Sequence, residues 1–114
     1  MNKFLVCGIQ NKLANNIDEN IEKNLLKIKE ARKNGANLAV LPELSNTVYF
    51  CQTQNPENFN LAEAIPGISS EIYCRLAKDL KIALVVSLFE KRAAGLYHNT
   101  ALIINSDGTL TGIY

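Results

Sequence analysis

Three short apolar runs, separated by two longer amphipathic segments, are the feature that most constrains how this chain can fold. The runs cover residues 4–9, 38–41 and 82–89, and each is short enough to be typical of a buried strand. The segments between them, residues 17–34 and 70–81, carry apolar side chains at three- and four-residue steps, which predicts helices. Alternating strands and helices favour parallel pairing with right-handed crossovers.

The last part of the chain has a different pattern. Two further apolar runs, residues 99–104 and 109–114, flank an Asn-Ser-Asp-Gly sequence that is typical of a hairpin turn. The predicted order is therefore β-α-β-loop-α-β-β-β, an α/β fold with a mixed sheet. The final run includes Tyr114, with no turn or cap after it. We therefore expect residues 1–114 to be the first portion of a longer domain.

Charge and cysteine content exclude several classes of protein. Lys and Arg number 12 and Asp and Glu 11, so the net charge of +1 provides no general electrostatic surface for nucleic acid or anionic membrane. No apolar run approaches the roughly 18 residues that span a bilayer. The 3 cysteines contain no CxxC pair, which favours reduced thiols over a disulfide framework. We expect a cytoplasmic protein without nucleic-acid or membrane partners.

Glu43 is the most informative single residue. It follows the run 38–41 across Pro42, at the carboxyl end of a predicted strand. Ligands bind at that edge of open α/β sheets, and a carboxylate held there beside an apolar layer suits the role of a general base. A turn residue, or a cap for a following short helix, is the alternative interpretation.

Other polar residues give weaker signals. Glu90 follows the third run and precedes Lys91 and Arg92, which predicts a solvated charge cluster. Cys51, in the long loop, and His98, the only histidine, could form a nucleophilic dyad, but no local signature supports that pairing.

The remaining candidates are two aromatic residues of the long loop, two cysteines and the isolated glycines. Tyr49 and Phe50 either line a pocket above the sheet or anchor the long loop. Cys7 and Cys74 fall on buried elements, where a free cysteine behaves as a small hydrophobe. Isolated glycines provide no phosphate loop, and one histidine with scattered cysteines provides no zinc site. We expect neither a metal nor an organic cofactor.

Several segments together resemble one family. Residues 35–44, Gly-Ala-Asn-Leu-Ala-Val-Leu-Pro-Glu-Leu, are similar to the catalytic-glutamate motif of the carbon–nitrogen hydrolase (nitrilase) superfamily. Residues 97–104 and the glycine-containing turn and strand after them resemble the stretch that leads into that family's catalytic lysine. Residues 41–52 and 87–100 are most similar to the branch of N-carbamoylputrescine amidases. The likeness extends over essentially the whole chain.

This resemblance implies a four-layer α-β-β-α sandwich, of which residues 1–114 form the amino-terminal part, and a Glu-Lys-Cys triad that cleaves a ureido C–N bond. Glu43 matches the glutamate that acts as general base, and Tyr49 matches an aromatic residue that contacts substrate. Cys51 matches a cysteine that is not catalytic. The resemblance further implies a small carbamoyl-amine substrate as the partner, a homo-oligomer at full length, and no cofactor.

The resemblance also limits what this chain can do. The family's lysine and nucleophilic cysteine match positions beyond Tyr114, so we expect residues 1–114 alone to be inactive. Another carbon–nitrogen hydrolase, acting on a different carbamoyl amine, on ureidopropionate or on an aliphatic amide, is an alternative. A non-catalytic, flavodoxin-like binding module with a covered sheet is another.

Overall fold

The computed structural model describes residues 3–114, which form a single sheet of five strands in the order β1-β2-β3-β4-β5. Strands β1 to β3 pair in parallel, and β3 to β5 pair antiparallel, which confirms the predicted mixed α/β fold. The elements in chain order are β1 (Val6–Gly8), α1 (Ile17–Lys33), β2 (Leu38–Val40), a 3-10 helix (Pro56–Leu61), α2 (Ile68–Leu80), β3 (Ala83–Ala93), β4 (Leu96–Ile104) and β5 (Leu110–Ile113).

Local hydrogen bonds and backbone conformation explain the helix ends. Asn16 caps α1, because its side-chain oxygen accepts the backbone N–H of Glu19 at 3.0 Å. Gly35, just after α1, has a φ of +93°, a left-handed conformation that glycine adopts readily. Helix α2 begins two residues earlier than predicted, because the Ser70 hydroxyl bonds to the backbone of Gly67 and that pair forms the cap.

Both helices pack on the same face of the sheet. Alternate β3 residues Leu84, Val86 and Leu88 are buried in the core together with residues of α1 and α2. Successive right-handed crossovers that proceed in one direction place their helices on one side. A flavodoxin-like module has helices on both sides, so that alternative is wrong.

Within residues 3–114, neither α1 nor α2 packs against the opposite side of the sheet, which we call the open face. Its side chains include Val40, Val85 and Ile103, which are neighbours in the strand register. Val6 at one edge is 55% exposed, and Ile103 is 40% exposed. Apolar groups on this face are thus in contact with solvent in the described chain.

The β3–β4 hairpin is longer than the sequence predicts. We expected β3 to end before Glu90 and β4 to begin at Asn99, but the strands continue to Ala93 and start at Leu96. Most of the extra residues are charged or aromatic, so they lack the apolar pattern of the strand core. His98 therefore lies inside a strand, directly opposite Glu90.

Glu90 corrects the prediction of a solvated charge cluster. Strand alternation turns it to the same side as Leu88, and it is only 3% exposed. Its carboxylate accepts hydrogen bonds from Arg92 Nε at 3.2 Å, Arg92 Nη2 at 2.9 Å and Thr100 Oγ1 at 2.7 Å. These donors, with Arg92 first, hold the pKa of the Glu90 carboxyl below its ordinary value despite burial.

Buried polar side chains fasten the loop that follows β2 to both helices. Asn24 Nδ2, on α1, donates to the Ser45 carbonyl at 2.7 Å and to Tyr73 Oη at 3.0 Å. Tyr73, on α2, donates in turn to Asn46 Oδ1 at 2.7 Å. Every buried side-chain nitrogen or oxygen in the described residues has a hydrogen-bond partner. The loop beside Glu43 is therefore held by specific bonds as well as by apolar packing.

Replacing Tyr73 by phenylalanine tests this network. The ring still fills its site, but Asn24 and Asn46 lose the hydroxyl between them, so we expect the free energy of unfolding to fall by about 1–3 kcal/mol. Urea denaturation followed by circular dichroism measures the change. Tyr97→Phe is the matched control, because no side-chain hydrogen bond of Tyr97 is present in the structure of residues 3–114. Equal stability of Tyr73→Phe and wild type would contradict the proposed role of the network.

Glu90→Gln should destabilise the protein in a pH-dependent way. Because folding lowers the pKa of Glu90, its contribution is full above the ordinary glutamate pKa of about 4.3 and is lost as the pH falls through the lower folded value. Urea denaturation of wild type and variant between pH 7 and pH 3 should show a stability difference that shrinks toward the acidic end. A difference that stays constant over this range would show that the charge of Glu90 does not contribute.

Candidate active site

Glu43 lies where the chain leaves β2 and turns over the edge of the sheet. The next residue, Leu44, has a φ of +52° and is buried, with 1% of its surface exposed. A left-handed leucine is uncommon, and here the turn buries the Leu44 side chain while Glu43 is exposed to solvent. Glu43 is thus at the predicted edge of the sheet, and it is exposed to solvent in the described chain.

One hydrogen bond ties the Glu43 carboxylate to the β3–β4 hairpin. Asn99 Nδ2, on β4, donates to Glu43 Oε1 at 2.7 Å. Asn99 alternates with buried Thr100, so its side chain belongs to the open face. The second carboxylate oxygen, Oε2, has no hydrogen-bond partner among residues 3–114. An exposed carboxylate with one oxygen held and one oxygen available can accept a proton from a bound group.

Ser87, on β3, fixes the backbone around Glu43. Its Oγ accepts the N–H of Leu44 at 2.8 Å and donates to Asn99 Oδ1 at 3.3 Å. Its carbonyl accepts both the N–H and the hydroxyl of Ser45, at 2.9 and 2.8 Å. The turn that presents Glu43 is therefore attached to β3 at Leu44 and at Ser45.

Tyr49 lies within electrostatic reach of Glu43. Its pKa is raised above the ordinary tyrosine value by the nearby Cys51 thiol group first and by the Glu43 carboxylate second. The ring is 46% exposed, which leaves its face open to a ligand. This placement is compatible with the expected substrate contact. It also puts Cys51 beside Tyr49, whereas His98 lies opposite Glu90, and no Cys51–His98 hydrogen bond occurs in the described residues.

Four aromatic rings form a cluster that includes the cross-strand neighbour of Asn99. Phe89 is directly opposite Asn99 in the sheet register. The ring of Phe50 lies 4.9 Å from that of Phe89, and the ring of Phe59 lies 4.5 Å from that of Tyr97, measured between centroids. Phe50 therefore anchors the long loop to β3, as one of the two sequence interpretations proposed. The rings form an apolar wall at this end of the open face.

Sequence reasoning missed Ser87, Phe89 and Asn99 as residues of this site. The usable signal was the alternation along β3, which sets Ser87 and Phe89 on the opposite side from the core residues Val86 and Leu88. Ser87, the polar residue in the otherwise apolar run 82–89, also marks a place where a hydrogen bond is needed. The missing information was which loop lies above that position.

Across residues 3–114, no group of three or more His, Cys, Asp or Glu side chains is arranged to hold a metal ion. Within the same part of the chain, neither helix combines the length and the apolar composition needed to cross a bilayer.

Known proteins match this chain along almost its whole length. A citrullinase from Francisella tularensis is 36% identical over 115 aligned residues, covering 100% of this chain and 40% of that protein. An N-carbamoylputrescine amidase from Oryza sativa is 35% identical over 113 residues, covering 98% of this chain and 37% of that protein. The chain thus spans about two fifths of the length of the relatives it matches.

A solved structure and a family model agree with these matches. The crystal structure of a carbon–nitrogen hydrolase from Helicobacter pylori superimposes with a TM-score of 0.91 at 35% identity, covering 97% of this chain and 38% of that one. The family model described as carbon–nitrogen hydrolase matches residues 6–114, which include Glu43, Ser87 and Asn99. The chain therefore belongs to the carbon–nitrogen hydrolase family.

Proposed function

We propose that residues 1–114 are the amino-terminal portion of an amidohydrolase domain that converts N-carbamoylputrescine to putrescine, ammonia and carbon dioxide. The observation that carries this proposal is the position of Glu43. Its carboxylate stands at the end of β2 on the open face, held at one oxygen by Asn99, in a chain that belongs to the carbon–nitrogen hydrolase family. The likeness to the Oryza sativa amidase supports the choice of substrate.

In the proposed reaction, Glu43 takes the proton of a cysteine thiol supplied by the rest of the domain. The thiolate attacks the ureido carbonyl, a lysine stabilises the oxyanion, and protonated Glu43 returns its proton to the leaving nitrogen, so ammonia departs and a carbamoyl thioester remains. The Glu43 carboxylate then takes a proton from water, the resulting hydroxide attacks the thioester carbonyl, and the departing thiolate regains that proton from Glu43. The released carbamic acid loses carbon dioxide and yields the amine.

The open face supports a site completed by further residues. Val40, Val85 and Ile103 present apolar surface beside Glu43, and burial of such surface drives the packing of another layer. The chain corresponds to 37% of the Oryza sativa amidase and 38% of the Helicobacter pylori hydrolase. We propose that the remaining part of the domain covers this face and brings the lysine and the cysteine to Glu43.

The surroundings of Glu43 favour an amine over an amino acid at the far end of the substrate. Tyr49 and the four-ring wall can contact a methylene chain, and aromatic faces attract a cationic amine. Citrulline has the same ureido group but adds a carboxylate, which has to be neutralised. The match to a citrullinase makes citrulline the second candidate substrate.

Glu43→Gln in the full-length protein tests the role of the base. The amide keeps the shape of the side chain but cannot accept the proton, so we expect kcat to fall about 10²- to 10⁴-fold while the protein stays folded. Release of ammonia from N-carbamoylputrescine measures the rate. Glu71→Gln, at an exposed position on α2, is the matched control and should keep wild-type activity.

Two results would bear against this assignment. Activity of Glu43→Gln close to that of wild type would remove Glu43 from the mechanism. Hydrolysis by residues 1–114 alone would contradict the dependence on a lysine and cysteine from elsewhere, since members of such a triad act as a unit.

A substrate panel tests the specificity. We expect kcat/KM for N-carbamoylputrescine to exceed that for citrulline and β-ureidopropionate by at least about tenfold, because leaving a substrate carboxylate without a partner costs binding energy. The same full-length preparation is assayed with each compound by ammonia release. A preference for citrulline would move the assignment to the second candidate, and a preference for β-ureidopropionate would contradict both.

A further inference from the structure

We propose that Asn99 is a positioning residue for Glu43 and that Ser87 holds Asn99 in the orientation this requires. The inference rests on the proposed function, because it assigns a role in presenting the general base. It arises from a chain of side-chain hydrogen bonds that runs from β3 through β4 to the carboxylate.

The first link determines which carboxylate oxygen is available. An asparagine Nδ2 group has hydrogens to donate and does not accept, so its 2.7 Å bond to Glu43 Oε1 occupies that oxygen with a permanent donor. Proton transfer is left to Oε2, which faces no donor among residues 3–114. The contact thus distinguishes two oxygens that are equivalent in a free carboxylate.

The second link fixes the orientation of the Asn99 amide. The Ser87 hydroxyl accepts the Leu44 N–H at 2.8 Å and directs its own hydrogen to Asn99 Oδ1 at 3.3 Å. A flipped amide would turn Oδ1 toward the carboxylate and set two acceptors against each other. The acceptor-only carboxylate of Glu43 therefore selects the orientation in which Nδ2 points at it, and the Ser87 hydroxyl stabilises that orientation by donating to Oδ1.

Among the described residues, no side chain other than that of Asn99 bonds to the Glu43 carboxylate. The bonds from Leu44 and Ser45 to Ser87 fix the backbone next to Glu43, but they leave the torsions of the glutamate side chain free. Asn99 joins that side chain to β4, which pairs with β3 over almost its whole length. A base on a flexible side chain gains most from such a tether, because catalysis depends on its distance from the reacting atom.

A structural role alone would give a different result. If Asn99 only stabilised the fold, its loss would lower the free energy of unfolding of the full-length protein and leave kcat of the folded enzyme unchanged. A positioning role predicts that loss of Asn99 lowers kcat of the folded enzyme, because it acts on the chemical step. Substrate binding, which depends on other groups, should change little.

The test uses the full-length protein with N-carbamoylputrescine and citrulline, each followed by ammonia release. Asn99→Leu keeps the size of the side chain and removes the donor, and we expect kcat to fall about 10- to 100-fold while KM changes by less than about threefold. Asn60→Leu, at an exposed position of the 3-10 helix, is the control and should behave as wild type. Ser87→Ala should lower kcat several-fold, and Ser87→Thr, which restores the hydroxyl, should recover it.

The double variant separates positioning from structure. Because Asn99 acts through Glu43, adding Asn99→Leu to Glu43→Gln should cause no further loss of kcat. If Asn99→Leu keeps kcat within twofold of wild type while Glu43→Gln is inactive, the positioning role is overturned and the proposed function stands. If Glu43→Gln keeps wild-type activity, both the positioning role of Asn99 and the proposed function are overturned. Should Asn99→Leu fail to fold, equal activity of Ser87→Ala and Ser87→Thr would overturn the inference by itself.

Discussion

The hydrogen bonds that hold the turn after β2 are the constraint on which the rest of the site depends. Proline ends the strand, and the next residues would be free to leave the sheet in any direction. Ser87 prevents this from the side of the sheet, through its bonds to Leu44 and Ser45. Asn24 and Tyr73 prevent it from the side of the helices, through Ser45 and Asn46. The turn is held from both sides, so Glu43 is presented at a defined place.

The position of Glu43 relative to the layers of the fold matters for the proposed function. Helices α1 and α2 cover one face of the sheet, and Glu43, Asn99 and the aromatic wall are at the edge of the other. The apolar side chains of the open face do not form a core by themselves, and a carboxylate beside them becomes shielded only when another layer covers it. The proposed function requires a second layer that covers this face and brings further catalytic groups to Glu43.

Much of this could be predicted from the sequence, and the failures have physical causes. The apolar runs and the helical periodicity predict all five strands, both helices and the edge position of Glu43, because each depends on neighbours close in sequence. The burial of Glu90 could not be predicted, since it depends on Arg92 and on Thr100 across the hairpin. The partner of Glu43, Asn99, is 56 residues away, and only the register of β3 with β4 brings it near. Short-range patterns carry no information on such contacts.

The most direct measurement of the central claim is the crystal structure of the full-length protein. The account predicts that the open face is buried by a second layer, that Asn99 still bonds to Glu43 Oε1, and that Oε2 faces a cysteine thiol and a lysine ammonium within about 3–4 Å. A structure in which the open face is covered but Glu43 points into solvent, away from any cysteine, would contradict it.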